Sequence, residues 1–419
     1  MSRHSTMEWL SFRWLTIDGR ILLVTKLLRT LAFGYLSVAL PFYLGEKTLF
    51  NGLTDFVIGT IFSAAIFGGI AFTLLGDALA NRFSRRSSLS VFAIMIIISG
   101  VLLLSSTNLF VVFFAVFIGS IGVNATETGP FASLEQAMVP QTTEERDRTY
   151  AFSVYNLIGY GGASFGSLMG GLPSFFRLFA GFSVLNSYRV LFALYALSGL
   201  AMLILYKALS SKAEVAVSHR NLFGVTKSKR TIAELSVLFS IDAFGGGFVV
   251  QSIISLWFKT NFGTPLSEAS TIFFFAQLIT AASFLVAGRL AKKFGLLNTM
   301  VFTHFPSNLL LIGVGLAPTY ASAVGFLFAR QTLSQMDVPT RQSYMMAIVP
   351  PEERNAATSI TNVSRNIAAA VPPSLSGYLL EASLLAEPFI FAGVFKIVYD
   401  VLIYASFRKV KPPEEKKPS

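Results

Sequence analysis

Apolar runs of about 20 residues recur along this chain, and the short stretches between them hold most of its charge. A run of that length is what a helix needs to cross the ~30 Å hydrocarbon core of a bilayer at about 1.5 Å per residue. Only 13% of the residues are charged and 53% are hydrophobic, whereas soluble domains carry roughly a quarter charged residues. Lipid is therefore the solvent for most of the chain. The 32 glycines and 16 prolines would disturb soluble helices, but membrane helices tolerate them better.

The runs place spans at 21–44, 54–76, 87–107, 109–138, 148–171 and 190–208, then at 232–258, 268–291, 297–317, 319–347, 356–380 and 386–407. This predicts a polar N-terminal tail at 1–20, a first half at 21–210, a linker at 211–230, a second half at 231–407 and a charged, Pro-rich tail at 408–419. Residues 1–20 lack the apolar core and cleavage site of a signal peptide, so the first span is expected to act as an uncleaved anchor. Lys and Arg collect in the loops on the side shared by both ends. The other side holds only Lys47, Arg177, Arg189 and Lys259. By the positive-inside rule both termini are cytoplasmic, and the net charge of +11 reflects these loops rather than a nucleic-acid partner.

The halves echo one another. Asp77-Ala78-Leu79-Ala80-Asn81-Arg82-Phe83-Ser84-Arg85-Arg86 returns as Gly288-Arg289-Leu290-Ala291-Lys292-Lys293-Phe294-Gly295, and Val139-Pro140 with Glu144-Glu145-Arg146 returns as Val349-Pro350 with Glu352-Glu353-Arg354. Repeats at such long range mark an internal duplication of six spans.

Six plus six spans, a basic central linker and a basic turn after spans 2 and 8 resemble the major facilitator superfamily over nearly the whole chain. The resemblance implies an all-α membrane protein of twelve transmembrane helices in two pseudo-symmetric six-helix bundles, the major facilitator fold. The family turn reads roughly Gly-x-Leu-Ala-Asp-Arg-x-Gly-Arg-Arg and is associated with gating. Leu79, Ala80, Arg82, Arg85 and Arg86 match it, while Asp77, Asn81 and Ser84 depart from it. Gly288, Leu290, Ala291 and Gly295 match in the second copy, where Lys292 stands at the acid. Asp77, one turn earlier, is a substitute for the acid missing at Asn81.

In span 5, Gly162, Gly166, Gly170 and Gly171 are similar to the family's antiporter motif, with Ser167 in place of its proline. Small residues four apart also simply let membrane helices approach, and both readings stand. The stretch from Asp337 to Arg354 resembles a prokaryotic branch of uncharacterised or drug-exporter-like members, which implies a drug:proton antiporter-like subgroup and names no substrate.

Ionisable residues within spans are costly, and their default reading is functional. Arg330, Asp337 and Arg341 would fall within about 40° on one face of a continuous span 10. Asp337 and Arg341 can pair directly. Ser120, Asn124 and Glu127 would share a face of span 4. Asp242 precedes three glycines near mid-span, at a depth similar to Arg365 and Arg29. The resemblance implies that spans 1, 4, 7 and 10 line a central cavity, which makes these residues, with Gln251, the substrate- and proton-binding candidates. A lone carboxylate at such a depth can exchange protons near neutral pH, and pairing of Asp242 with Arg365 would weaken that role. Lys396 is expected to pair with Asp400, Glu135 to be wetted near a span end, and His304 to be peripheral.

There is no cysteine, no phosphate-cradling loop ending in Lys-Ser/Thr, and no clustered histidine, so no cofactor or metal site is expected. The expectation is a monomeric, multi-pass plasma-membrane protein and no enzyme: a secondary transporter working by alternating access. Proton-coupled efflux of a small amphipathic or drug-like molecule leads. Uptake or facilitated passage of a small organic anion is the alternative, and a receptor or scaffold is the remote one.

Overall fold

The computed structural model describes residues 15–125, 129–144, 148–214 and 227–410, apart from a few side chains that include those of Asp77 and Asn81. Seven helical stretches are long and apolar enough to cross a membrane by length and composition. The helices follow the duplicated six-plus-six order. The first half holds α1 (Ile17–Leu44), α2 (Asp55–Arg82), α3 (Arg85–Ser105), α4a and α4b (Leu109–Gly119, Pro130–Met138), α5a and α5b (Arg148–Met169, Leu172–Ala180) and α6 (Val184–Lys207). The second holds α7a and α7b (Lys229–Gly247, Gln251–Phe262), α8 (Leu266–Phe294), α9 (Leu296–Gly315), α10a and α10b (Tyr320–Gln331, Asp337–Ile348), α11a and α11b (Arg354–Ala370, Pro372–Glu381) and α12 (Glu387–Phe407). Twelve spans bring the chain back to the side on which it starts, so Leu15 and Val410, the first and last described residues, mark one face of the bundle, the terminal face; the opposite face is called distal.

Helix α1 starts four residues before the apolar run, because the Thr16 hydroxyl accepts the Gly19 N–H at 3.3 Å and caps it. Proline and glycine set the interruptions of spans 4, 5, 7 and 11. Span 4 is not the continuous helix the sequence suggested. It stops at Gly119 and turns at Ser120 (φ +44°), and a separate helix runs from Pro130 to Met138. A proline lacks the N–H and crowds the preceding turn, so it starts a helix more readily than it continues one. Pro173 and the Pro372-Pro373 pair sit likewise in the first turns of α5b and α11b. Span 7 breaks just after Gly245–Gly247, and span 10 loosens into turns over residues 332–336.

The two halves repeat a packing scheme. Helix α1 lies against α5a and α6, and α7a lies against α11a and α12. The halves meet where α2 packs on α11b, α5a on α8 and α1 on α7b. At the α2–α11b seam the backbones touch. A Cβ on Gly59 would collide with the Pro373 carbonyl, and one on Gly377 with the Asp55 carbonyl. The outer surface is apolar, as a lipid boundary requires. Val91, Ile94, Ile98 and Val101 form an exposed stripe on α3, and Val394, Val398 and Val401 form one on α12.

Candidate functional site

Each half buries one charged cluster. In the first, the Glu135 carboxylate of α4b is met by Arg29 Nη2 at 2.7 Å and Nη1 at 3.1 Å. It also accepts from Tyr206 at 2.6 Å, Tyr155 at 2.7 Å and Thr25 at 2.9 Å. Arg29 stacks over Phe131, 4.6 Å from the ring centroid. Both charged side chains are 0% exposed. Glu135 is therefore not the wetted residue expected near a span end. It binds α4b to α1, α5a and α6, and every lone pair it offers has a donor nearby.

The second cluster centres on Asp242 of α7a. Its Oδ1 accepts from Lys396 Nζ of α12 at 2.7 Å. Its Oδ2 accepts from Arg341 Nη1 of α10b at 3.0 Å and from Arg365 Nη1 of α11a at 3.2 Å. Arg341 also donates to Asp337 at 2.8 Å, the pair foreseen from the four-residue spacing. By helical rise Asp242, Arg365 and Lys396 lie roughly 16–20 Å from the terminal ends of their helices, near mid-bilayer. Asp242 is thus not a lone carboxylate: three cations from three helices share it. Lys396 reaches Asp242 instead of Asp400. His304 is buried, not peripheral; its Nδ1 lies 2.8 Å from Asp400 Oδ1, and Asn308 Nδ2 donates to Asp400 Oδ2 at 2.9 Å.

Arg330 lies on α10a, across the break from Asp337, so the single face expected for Arg330, Asp337 and Arg341 does not exist. Its Nη1 donates to the Gln331 side chain at 2.8 Å, while its Nε, in a residue only 9% exposed, has no hydrogen-bond acceptor. The shared face of Ser120, Asn124 and Glu127 is likewise lost where α4a ends, and Glu127 itself lies outside the described residues.

Between the halves, Gln251 at the start of α7b donates to Ser37 at 2.9 Å and Ser167 at 3.1 Å, and accepts from Gln277 at 2.6 Å. Its backbone N–H donates to the Asn124 side chain at 3.1 Å. The breaks in spans 4 and 7 thus meet each other. Further out, Ser252 and Ser255 donate to the Ser37 and Val38 carbonyls, Ser374 lies 2.7 Å from Ser63, and Lys259 donates to the Gly45 carbonyl. Among the described residues, hydrogen bonds between the halves run from mid-bundle to the distal face. The distal side is closed in this state.

The basic turn after span 2 is engaged by the end of α6 and by the start of the linker. The Arg85 and Arg86 N–H groups donate to Glu214 at 3.1 and 3.0 Å, and the Arg86 guanidinium donates to the Lys207 and Leu209 carbonyls at the end of α6. Arg82 stacks on Phe83. In the second copy Gly295 ends α8 at φ +88°, a conformation that calls for glycine, while nothing crowds Gly288. In α5a, Gly162 and Gly166 lie against α1 so closely that a Cβ at either would strike Thr30 or the Leu31 backbone. Gly170 lies near Tyr35 and Val38, and Gly171 near Ser270 of the other half.

The sequence reading missed the partners rather than the charges. Tyr155, Tyr206, Asn308 and Gln277 are polar residues within apolar runs, and their presence there is the signal that could have flagged them.

Twelve spans in two like halves, closed against each other on one side around buried charge, define a polytopic transporter rather than an enzyme. The sequence matches the family model of the Major Facilitator Superfamily over residues 22–336, and the chain belongs to that family. It is similar to the uncharacterized membrane protein YJR124C of Saccharomyces cerevisiae, 23% identical over 95% of this chain and 96% of the yeast one. In structure it is similar to the D-xylose-proton symporter, with TM-score 0.73, 18% identity, and coverage of 96% of this chain and 99% of that one. It is also similar to the human organic anion transporter MFSD10, with TM-score 0.65, 14% identity, and coverage of 92% and 98%.

Proposed function

We propose that this chain is a proton-coupled secondary transporter for a small organic anion, working as a monomer by alternating access in the plasma membrane with both termini cytoplasmic. The observation that carries this is the sharing of Asp242 among Arg341, Arg365 and Lys396. The pairing with Arg365 and two further cations weakens Asp242 as a proton site while no solute is bound, since a proton there would leave three buried cations short of one anion, and a buried charge without its partner is costly. A carboxylate or phosphate on the solute supplies that anion, and Arg330 offers a further donor. Proton and anion then favour each other's binding, which is symport. The terminal face, opposite the closed distal seam, is the side from which this state loads or releases solute.

The second reading is efflux of an amphipathic or drug-like molecule in exchange for protons. What favours it is the glycine pattern Gly162, Gly166, Gly170, Gly171. A cationic solute would compete with the bases for Asp242 and exclude the proton.

Proteoliposomes with an imposed pH gradient separate the two. Small mono- and dicarboxylates and organic phosphates are expected to move with the gradient, and R330Q is expected to weaken their uptake about tenfold, the worth of one charge-assisted hydrogen bond. Movement of lipophilic cations against the gradient, with no anion moved, replaces the first reading by the second. If neither class moves, both readings are refuted.

A further inference from the structure

Behind Asp242 lies a titratable group that the transport argument leaves unused. His304 Nδ1 is 2.8 Å from Asp400 Oδ1, while its Nε2 faces Asp242 Oδ1 at 3.7 Å. An ionised Asp400 only accepts, which favours the neutral ring with its proton on Nδ1, while Asn308 Nδ2 also lies 3.2 Å from that nitrogen. That leaves Nε2 as an acceptor directed at Asp242. The ring meets Tyr399 edge-on at 5.9 Å. By helical rise His304 and Asp400 lie about 10–12 Å from the terminal ends of α9 and α12, whereas Asp242 lies about 20 Å from the start of α7a. The ring therefore stands between the terminal face and the buried carboxylate.

We propose that His304 is a proton-binding residue of this transporter and that its charged ring competes with Lys396 for Asp242. The inference rests on the proton-coupled reading above and names a second group through which coupling runs. The step is a proton binding alone: water on the terminal side supplies the proton, and one N–H bond forms at Nε2.

The groups facing the ring decide its effect. Helix α12 presents Asp400, Lys396 and Tyr399. Helix α7a presents Asp242, and through Asp242 the ring is linked to Lys396, to Arg365 of α11a and to Arg341 of α10b with its partner Asp337, while α10a, which also packs on α9, carries Arg330. Helix α8 also packs on α9, but its Glu268, Arg289, Lys292 and Lys293 lie near its two ends. With a neutral ring, three carboxylates (Asp242, Asp337, Asp400) stand against the bases Arg341, Arg365 and Lys396, with Arg330 adding a fourth from α10a. A proton on Nε2 adds one more positive charge and draws Asp242 Oδ1 toward the ring. The contacts of Asp242 to Lys396 and Arg365 loosen, and with them the ties of α12 and α11a to α7a.

The chain contains three histidines, His4, His219 and His304, so nitrogen NMR can read this ring without a known solute. The full chain carrying H4N and H219N, labelled with 15N-histidine and held in lipid nanodiscs, is followed between pH 5 and 9. The neutral ring is expected to be protonated on Nδ1 and to become doubly protonated within that range. In D242N the ratio of imidazolium to imidazole at a given pH should fall on the order of tenfold. In D400N the Nδ1–H form should no longer be fixed. A ring that stays neutral to pH 5, or whose ionisation ignores D242N, overturns the inference. Solute flux without proton dependence, alongside a ring that titrates as described, refutes the coupling reading and leaves the proton-binding site standing.

Discussion

Lys259 of α7b donates its ammonium proton to the Gly45 carbonyl, 2.9 Å away at the far end of α1. A cation from one half thus caps the negative end of a helix in the other. K259Q removes the charge and is expected to loosen the distal seam. The chain has no cysteine, so S255C alone reports on that seam. An impermeant maleimide applied from the distal side should label S255C about tenfold faster when K259Q is also present, matching a charge-assisted bond of ~1.5 kcal/mol. Equal rates would show that the cap does not hold the closed state.

Ser63 and Ser374 face each other across the α2–α11b seam with their hydroxyl oxygens 2.7 Å apart. The double variant S63C/S374C is expected to form a disulfide under mild oxidation, since sulfur atoms bond at about 2.0 Å. The crosslink should fix the distal side closed and abolish flux, and dithiothreitol should restore it. Undiminished flux in the oxidised protein would mean that the halves do not separate along this seam.

Arg29 and Glu135 test whether the first cluster is structural. E135Q leaves a buried guanidinium without its counter-charge and should cost about 3–5 kcal/mol of stability. The pair R29M/E135M removes both charges and should recover most of that loss. Thermal unfolding in detergent measures both. A double variant no more stable than E135Q would show that the pair does more than satisfy itself.

On the terminal face, Glu353 accepts the Lys227 and Ser228 N–H groups at 2.7 and 2.9 Å, just ahead of α7a. A carboxylate here caps a helix N-terminus. E353Q keeps the shape and removes the charge, and should raise amide exchange at residues 227–232 by roughly five- to tenfold, the equivalent of ~1 kcal/mol. Unchanged exchange would remove Glu353 from the anchoring of α7a.

Much of the architecture was legible because hydropathy acts over long, uniform windows. The span edges near Leu44, Ser105 and Phe407 follow from where charge or turn residues interrupt apolar runs, whereas α2 runs on to Arg82, six residues past the expected edge at 76. The breaks were less legible. Pro130 and Pro372-Pro373 stand in the sequence, yet a membrane span accommodates proline either as a kink or as an end. Only the packing of Asn124 against Gln251 shows which occurs in span 4. The charges themselves were visible, but their pairing was not. Asp400 lies four residues from Lys396, which invites a local pair, whereas the fold brings Asp242 and His304 from distant segments and redistributes both partners. Helical spacing ranks neighbours on one helix; it does not say which helix packs alongside.

The bare contact at Gly59 and Gly377 bears on how the halves tilt. Where side chains interlock, one surface must lift clear of the other before it can turn, and each knob changes rotamer on the way. Here two smooth backbones lie against each other. Such a contact parts and closes again with no side chain to unthread, which suits a seam that opens and shuts once in each cycle. A survey of tolerated substitutions should then find these two glycines as strictly kept as any solute-binding residue, although no solute ever touches them.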